Sequence, residues 1–217
     1  MADDDAKVQP TTRALDALIR RTVGEVLRTS SGSAADAMLF LGNRHDAFPA
    51  LLVQDPVLEP VDKVVWMVIC QHGRATGAAF PRYADIAQLA NIASTSTVAR
   101  AIAILRATCW LSLCVRVRDG SGRFRGNVYA LHDEPLPLAD TLHLDPDYMT
   151  FVKAACTHRH ARVRKVAEGV LASLDDDIGE GRDVLSPVNP IARRLEAARN
   201  LEQSRPRRFF TFSASVI

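Results

Sequence analysis

Between Ser94 and Leu131 the chain changes its hydrophobic period, and that change constrains the fold more than any other feature of the sequence. Val98, Ala101, Ile102 and Leu105 recur at three- and four-residue steps, the mark of a helix with one buried face over about 94–107. From Trp110 to Arg118 the pattern becomes an alternation, with Leu113, Val115 and Val117 on one side and Arg116 and Arg118 on the other. Asp119-Gly120-Ser121-Gly122 has hairpin-turn chemistry, and Arg123 to Leu131 returns as a second strand. A helix running straight into a two-stranded hairpin must bury both apolar faces against something upstream.

Upstream residues supply it. Pro56 and Pro60 frame a helix over about Val61–His72, in which Val64, Val65, Met67, Val68 and Ile69 make nearly every side apolar, so it is expected to be buried. Gly73 and Gly77 mark its end, and Pro81 holds Phe80 in an extended link over 78–81. Tyr83–Ala90 forms a second short helix with Ile86 and Leu89 inward, stopped by Asn91, a residue that tolerates a left-handed backbone. The order is helix, short strand, helix, helix and two-stranded wing. The expected fold is mainly α, a winged helix-turn-helix core of three helices plus a β-hairpin wing with flanking helices.

The flanks divide the chain into three parts. Residues 1–34 hold an N-terminal helix over 12–28, with Leu15, Leu18 or Ile19, Val23, Val26 and Leu27 inward, and a flexible break at Thr29–Ser33. Residues 35–140 form the winged helix-turn-helix domain, with short apolar runs at 37–41 and 50–53 ahead of the first domain helix and Pro135 and Pro137 closing it. Residues 141–217 form a helical extension. In it Asp145-Pro146 opens one long helix over about 147–174, Asp175–Asp177 begins a solvated loop, and Asn189-Pro190 caps a last helix to about Gln203. The apolar, strand-like ending Arg208–Ile217 leaves an edge unpaired, which predicts a natural protein longer than this chain.

Composition narrows the function classes. With 47% hydrophobic and 24% charged residues the chain is globular, neither disordered nor a disulfide scaffold. Cys70, Cys109, Cys114 and Cys156 lack CxxC spacing and lie in apolar stretches, so buried free thiols are expected. The acidic start MADDDAKVQP has no signal-peptide core, and no apolar run reaches the ~18 residues of a membrane span, which makes a cytoplasmic protein with no membrane partner the expectation. Arg82, Arg100, Arg106, Arg116, Arg118, Arg123 and Arg125 face only Asp85 and Asp119 over 82–132, a segment charge of +5, against −3 for the rest of a chain of net charge +2. A local basic block on a nearly neutral protein suits a polyanion.

The third helix and the wing are where double-stranded DNA would bind. Opposite the core stripe of the helix lie Ser96, Arg100, Ala103 and Ala107: small residues let the backbone approach base edges, and Arg100 can fork onto guanine. Ser94, Thr95, Ser96 and Thr97 set hydroxyls and helix N-terminal amides where phosphates would lie. Arg106 sits on the flank, towards phosphate. Arg116, Arg118, Arg123 and Arg125 cluster on the hairpin, offset by Asp119 alone.

No feature argues for an enzyme, and no cofactor or metal is expected. A Walker-type phosphate loop is missing. His158-Arg159-His160 has the spacing of a paired-histidine metal site only if it lies on a strand; in a helical run the two rings diverge, and a basic solvated face is the better reading. Trp110 reads as core, seating the wing. The stretch with Arg162, Arg164 and Lys165 is a candidate secondary phosphate contact or a plain surface.

Two longer stretches carry a resemblance. Thr76-Gly77-Ala78-Ala79-Phe80-Pro81-Arg82-Tyr83-Ala84-Asp85-Ile86-Ala87 followed by Ser96-Thr97-Val98-Ala99-Arg100-Ala101-Ile102-Ala103-Ile104-Leu105 is similar to the winged-helix pattern of phage and plasmid replication initiators. Phe40–Pro49 (FLGNRHDAFP) and Asp55–Lys63 (DPVLEPVDK) resemble the winged-helix replication-protein family of pathogenicity islands and integrative conjugative elements of proteobacteria, with the similarity spanning about 38–150. The resemblance implies a bacterial, origin-binding DNA replication protein of a mobile genetic element, working with other replication proteins. Arg82 departs from it, standing where serine is usual, and the turn over Asn91–Ser96 is one residue longer than the commonest form. A transcriptional regulator of the same element would use the same surface, and a protein-binding winged-helix adaptor is the reading from another class. A homodimer joined through helix 147–174 is the expected route to added specificity.

Overall fold

A computed structural model describes residues 10–29, 37–40, 48–76 and 80–186. In chain order the elements are α1 (Pro10–Thr29), β1 (Ala37–Phe40), α2 (Ala50–Gln54), α3 (Pro60–Thr76), α4 (Tyr83–Leu89), α5 (Thr95–Ala107), β2 (Leu111–Arg118), β3 (Phe124–Leu131), α6 (Leu138–Leu144), α7 (Tyr148–Ala155) and α8 (Ala161–Gly179). The mainly helical winged helix-turn-helix architecture is present: α3, α4 and α5 followed by the antiparallel hairpin β2–β3. The expected break at 30–33 and the expected elements beyond Pro187 lie outside the described residues.

The hairpin is part of a larger sheet than the sequence suggested. β1 pairs in parallel with β3, from Ala37 opposite Val128 to Phe40 opposite Leu131, giving the strand order β1-β3-β2. The third strand therefore comes from ahead of the domain helices. Phe80–Arg82, where a short strand was expected, is irregular, and residues 77–79 lie outside the description. β3 is buried from Val128 to Leu131, and β1 supplies partners for backbone groups that would otherwise be buried unpaired.

Apolar layers cover both faces of this sheet. On one, Leu111, Leu113, Tyr129 and Leu131 join Val65, Trp66, Ile69, Ile86, Val98, Ile102 and Leu105 of α3, α4 and α5. On the other, Leu15, Ile19 and Val26 of α1 cover Cys114, Val117, Val128 and Ala130. Ile19, not Leu18, is the inward residue of its pair, and Leu27 is exposed. A bulge decides which wing residues go where. The register steps from Leu113 opposite Tyr129 to Val115 opposite Val128, so Cys114 is the extra residue. Leu113 thus faces the helix-turn-helix, whereas Val115 and Val117 face α1, which corrects the single apolar face read from the alternation. A bulge inserts a residue without a sequence signal and flips every side chain after it.

Trp110 is core, as expected. It is fully buried, meets Trp66 edge-to-face at 6.1 Å and donates from Nε1 to the buried Asp55 carboxylate at 2.8 Å. Trp66 in turn donates to the backbone carbonyl of His132 at 3.1 Å. These bonds satisfy both indoles inside the core and tie α3, the start of β2 and the end of β3 together.

The C-terminal half departs most from expectation. The long helix over 147–174 is two helices, α7 and α8, separated by a turn at 156–160. Thr157 Oγ1 takes the Ala154 carbonyl at 2.9 Å, and His160 Nδ1 receives the Arg162 N–H at 3.3 Å as the cap of α8. The end of α7 tightens to three-residue steps, with the Cys156, Thr157 and His158 N–H groups donating to the Lys153, Ala154 and Ala155 carbonyls at 3.3, 3.1 and 3.0 Å, and the Thr157 hydroxyl shares the Ala154 carbonyl. Asp145-Pro146 opens no helix directly: Asp145 closes the unanticipated α6, with its carboxylate buried. Asp175–Asp177 lies inside α8 rather than in a loop, and Asp177 is buried against Arg182 at 2.7 Å. Val163 and Ala167 of α8 are buried in the same core as α5. The stripe expected to pair two copies of the chain is thus at least partly used within one.

Candidate nucleic-acid interface

The helix-turn-helix is α4, a five-residue turn over 90–94, and α5. Arg82 precedes α4 at the N-cap, and its backbone N–H donates to Asp85 Oδ2 at 3.3 Å. An arginine cannot cap with its side chain as serine does, so this departure leaves the guanidinium exposed at the mouth of α4. Asn91 takes the left-handed conformation expected of it, with φ +52°, and Ile92 N–H reaches back to Ala87 carbonyl at 2.8 Å. Leu89, expected inward, is 64% exposed: α4 stops with that residue on its outer side.

Ser94 caps α5. Its Oγ receives the Thr97 N–H at 3.3 Å and lies 2.9 Å from Ser96 Oγ and 3.0 Å from Thr97 Oγ1. Ser94 and Thr97 are half-buried, Thr95 and Ser96 exposed. A run of hydroxyls therefore surrounds the open amides of the first turn. Beyond it the helix closes quickly. Ala99, Arg100 and Ala103 are half-buried, and Ile104 to Ala107 are all buried. The outward stripe Ser96, Arg100, Ala103, Ala107 is thus open only along its N-terminal part, because α8 packs beside the helix and brings His160 Nε2 to 2.7 Å from Arg100 Nη1.

Arg106 is not a phosphate contact. Its guanidinium is buried, donates through Nε and Nη2 to both oxygens of Asp145 at 2.6 and 2.7 Å, and lies 4.0 Å over the Phe151 ring. Asp145 also receives the Leu113 N–H at 3.3 Å. The pair joins α5, β2 and the end of α6, with Phe151 of α7 stacked over the guanidinium. The partner lies 39 residues away, and no local pattern announces it.

The wing keeps its charges at the tip. Val117 is buried under α1, whereas Arg116 and Arg118, its neighbours in the strand, are exposed. Arg118 Nη1 donates to Gly122 carbonyl at 3.0 Å, and Gly122 takes φ +80° in the turn. Asp119 organises the loop: Oδ1 receives the Ser121 hydroxyl at 2.6 Å and the Ser121 and Arg123 N–H groups at 3.0 Å each, and Oδ2 receives Arg125 Nε at 2.9 Å. These bonds, the Ser121 hydroxyl first, pull the Asp119 carboxyl down to about 2. Arg125 is therefore already paired and half-buried, whereas Arg116, Arg118 and Arg123 carry the open charge of the wing.

His158 and His160 lie in the turn before α8, not on a helix or a strand. His158 Nδ1 receives the backbone N–H of His160 at 3.0 Å, and His160 Nδ1 caps α8. Both Nδ1 atoms thus serve the turn, and no group of three or more histidine, cysteine or carboxylate side chains placed to hold a metal ion occurs among the described residues. The cysteines are free thiols, three of them buried.

The fold defines the class as a helix-turn-helix domain with a wing, an architecture suited to DNA binding. Residues 58–111 match the model of a family described as a helix-turn-helix domain. The match spans α3, α4 and α5 and ends at the first residue of β2, so the wing is established by the structure. No curated protein and no solved structure matches the chain. No described helix is long and apolar enough to cross a membrane.

Proposed function

We propose that the chain reads the sequence of double-stranded DNA and serves as an origin-binding replication protein of a mobile genetic element. The observation that carries the first part is the pattern of exposure along α5. Its N-terminal turns bear exposed Thr95 and Ser96 beside half-buried Ser94, Thr97 and Arg100, while Ile104 to Ala107 are all buried. The N-terminal residues of a recognition helix are the ones that meet base edges, and hydroxyls with open amides suit the flanking phosphates. Arg100 is the one guanidinium on that open part, able to fork onto guanine. Arg116, Arg118 and Arg123 then serve backbone phosphates or the minor groove, and Arg82 adds a contact at α4. The replication role rests on the resemblance carried by Phe40–Pro49, Asp55–Lys63 and Thr76–Leu105.

Selecting random duplexes with the purified protein tests both parts. A motif bound far better than scrambled duplex supports sequence reading, and its place in the host element decides the role. A motif at an origin supports replication. A motif at a promoter replaces it with transcriptional regulation by the same surface.

A further inference from the structure

We infer that the turn between α7 and α8 extends the DNA surface, with Arg159 and Arg164 contacting phosphates of the duplex whose bases α5 reads. The inference rests on the reading of α5 as the DNA-facing helix. Three observations carry it.

The first is position. His160 lies at hydrogen-bond distance, 2.7 Å, from Arg100 on the open part of α5, so the turn that holds His158, Arg159 and His160 continues the surface where the duplex would lie. The second is charge. From Thr157 to Ala167 the chain has four full cations and no carboxylate. Of these, Arg162 is inward and paired with Glu59 at 2.6 Å and Asp62 at 2.7 Å, although its Nη1 is buried without a partner among the described residues. Arg159 is exposed with no side-chain partner among the described residues, and Arg164 donates only to backbone carbonyls, those of His158 at 2.8 Å and Arg159 at 3.2 Å. Uncompensated like charges held together by a rigid turn repel one another and gain most from a polyanion.

The third is an unresolved conflict of donors at Arg100. A neutral imidazole carries one ring proton and accepts at one nitrogen only. His160 presents Nδ1 to the Arg162 N–H and Nε2 to Arg100 Nη1, both donors. It can satisfy the cap or Arg100, but not both. Protonation would remove both acceptors; it is opposed by desolvation and by Arg100, His158, Arg162 and Arg164, which hold the ring below the usual histidine range. Arg100 Nε is in addition buried without an acceptor among the described residues. A guanidinium whose Nη1 has only a contested imidazole is poised to exchange it for an oxygen acceptor. Nucleic acid brings such acceptors to this point, and the phosphates beside them fall to Arg159 and Arg164.

Arg159→Ala tests this, because the side chain holds nothing in the fold. Affinity for a selected duplex and for a scrambled one is measured at several salt concentrations, with Arg21→Ala on α1, across the sheet from α5, as control. The expected result is equal weakening on both duplexes, with the log–log salt slope reduced by about 0.9, and no change for Arg21→Ala. Charge reversal in Arg159→Glu is expected to weaken binding further, again without altering the preference between duplexes. Wild-type binding with a motif, but an unchanged slope in both Arg159 variants, overturns this inference and leaves the reading of α5 standing. Absence of duplex binding by the wild type overturns both.

Discussion

Asp145→Ala would leave the Arg106 guanidinium 6% exposed and without its anion. The pair is bidentate, at 2.6 and 2.7 Å, and the surrounding α5, β2 and α7 give water no easy replacement. Breaking such a pair from one side costs about 3–5 kcal/mol, because the remaining charge stays desolvated. The Leu113 N–H also loses its acceptor, so the upper half of that range is expected. For a domain of this size each kcal/mol lowers Tm by about 2–4 °C, so a fall of roughly 8–20 °C is expected in a thermal melt. Arg106→Met with Asp145→Leu removes both charges and should recover most of the loss, since a buried pair replaced by apolar groups is often neutral. Urea titration of Arg106→Met, Asp145→Leu and the double variant closes the cycle and gives the coupling. A loss below about 1 kcal/mol for Asp145→Ala would refute the reasoning. So would an Arg106→Met protein that keeps its stability but loses affinity for DNA, since that would return Arg106 to the interface.

Three further outcomes follow from the same geometry. Burial pushes the His132 imidazole down to about 3, so the folded chain holds it neutral while the unfolded chain protonates it below about 6.5. The unfolded state binds the extra proton between those values, so this contribution is full above pH ~6.5 and falls by roughly 1.4 kcal/mol per unit towards pH 3. His132→Gln should flatten that part of the urea-midpoint profile, and an unchanged profile would contradict it. In the wing, Arg123→Ala should reduce the salt slope of DNA binding by about 0.9, and Arg125→Ala by less, because Asp119 already neutralises it; equal slopes would show that Arg125 leaves Asp119 on binding. Burial, with the charge of Asp145, pushes the Cys114 thiol up to about 12, so in the native protein at pH 8 a thiol reagent should modify half-buried Cys156 ahead of Cys114. Early labelling of Cys114 by mass spectrometry would count against the packing of α1 on the sheet.

Much of the central fold was legible because local signals there agree with the tertiary structure. The stripe Val98, Ala101, Ile102 and Leu105, the cap at Ser94, the stop at Asn91 and the Asp119–Gly122 turn each act within a few residues, and each is found where the pattern put it. The errors share a different cause, long-range partners. Residues 37–40 are a short apolar run in sequence, and only their pairing with β3 makes them a strand. The bulge at Cys114 and the left-handed Cys109, φ +64°, lack the glycine or asparagine that usually announces such backbone. Arg106 looked like a surface cation until Asp145 arrived from 39 residues on. The extension 147–174 has an apolar stripe consistent with one helix, and it is broken at the turn over 156–160, where the end of α7 tightens and His160 caps α8. Once the break is made, α8 covers part of the surface of α5 that helical geometry alone had left open.

The central claim is that the open N-terminal turns of α5 read duplex sequence. The most direct measurement is selection from random duplexes, with the affinity of the winners set against scrambled duplex at two salt concentrations for the wild type and Arg100→Ala. The account predicts a defined motif that survives moderate salt, and a loss of about 1–3 kcal/mol in Arg100→Ala confined to one position of that motif. Weak binding erased by salt, with no motif and no difference between the two proteins, would contradict it.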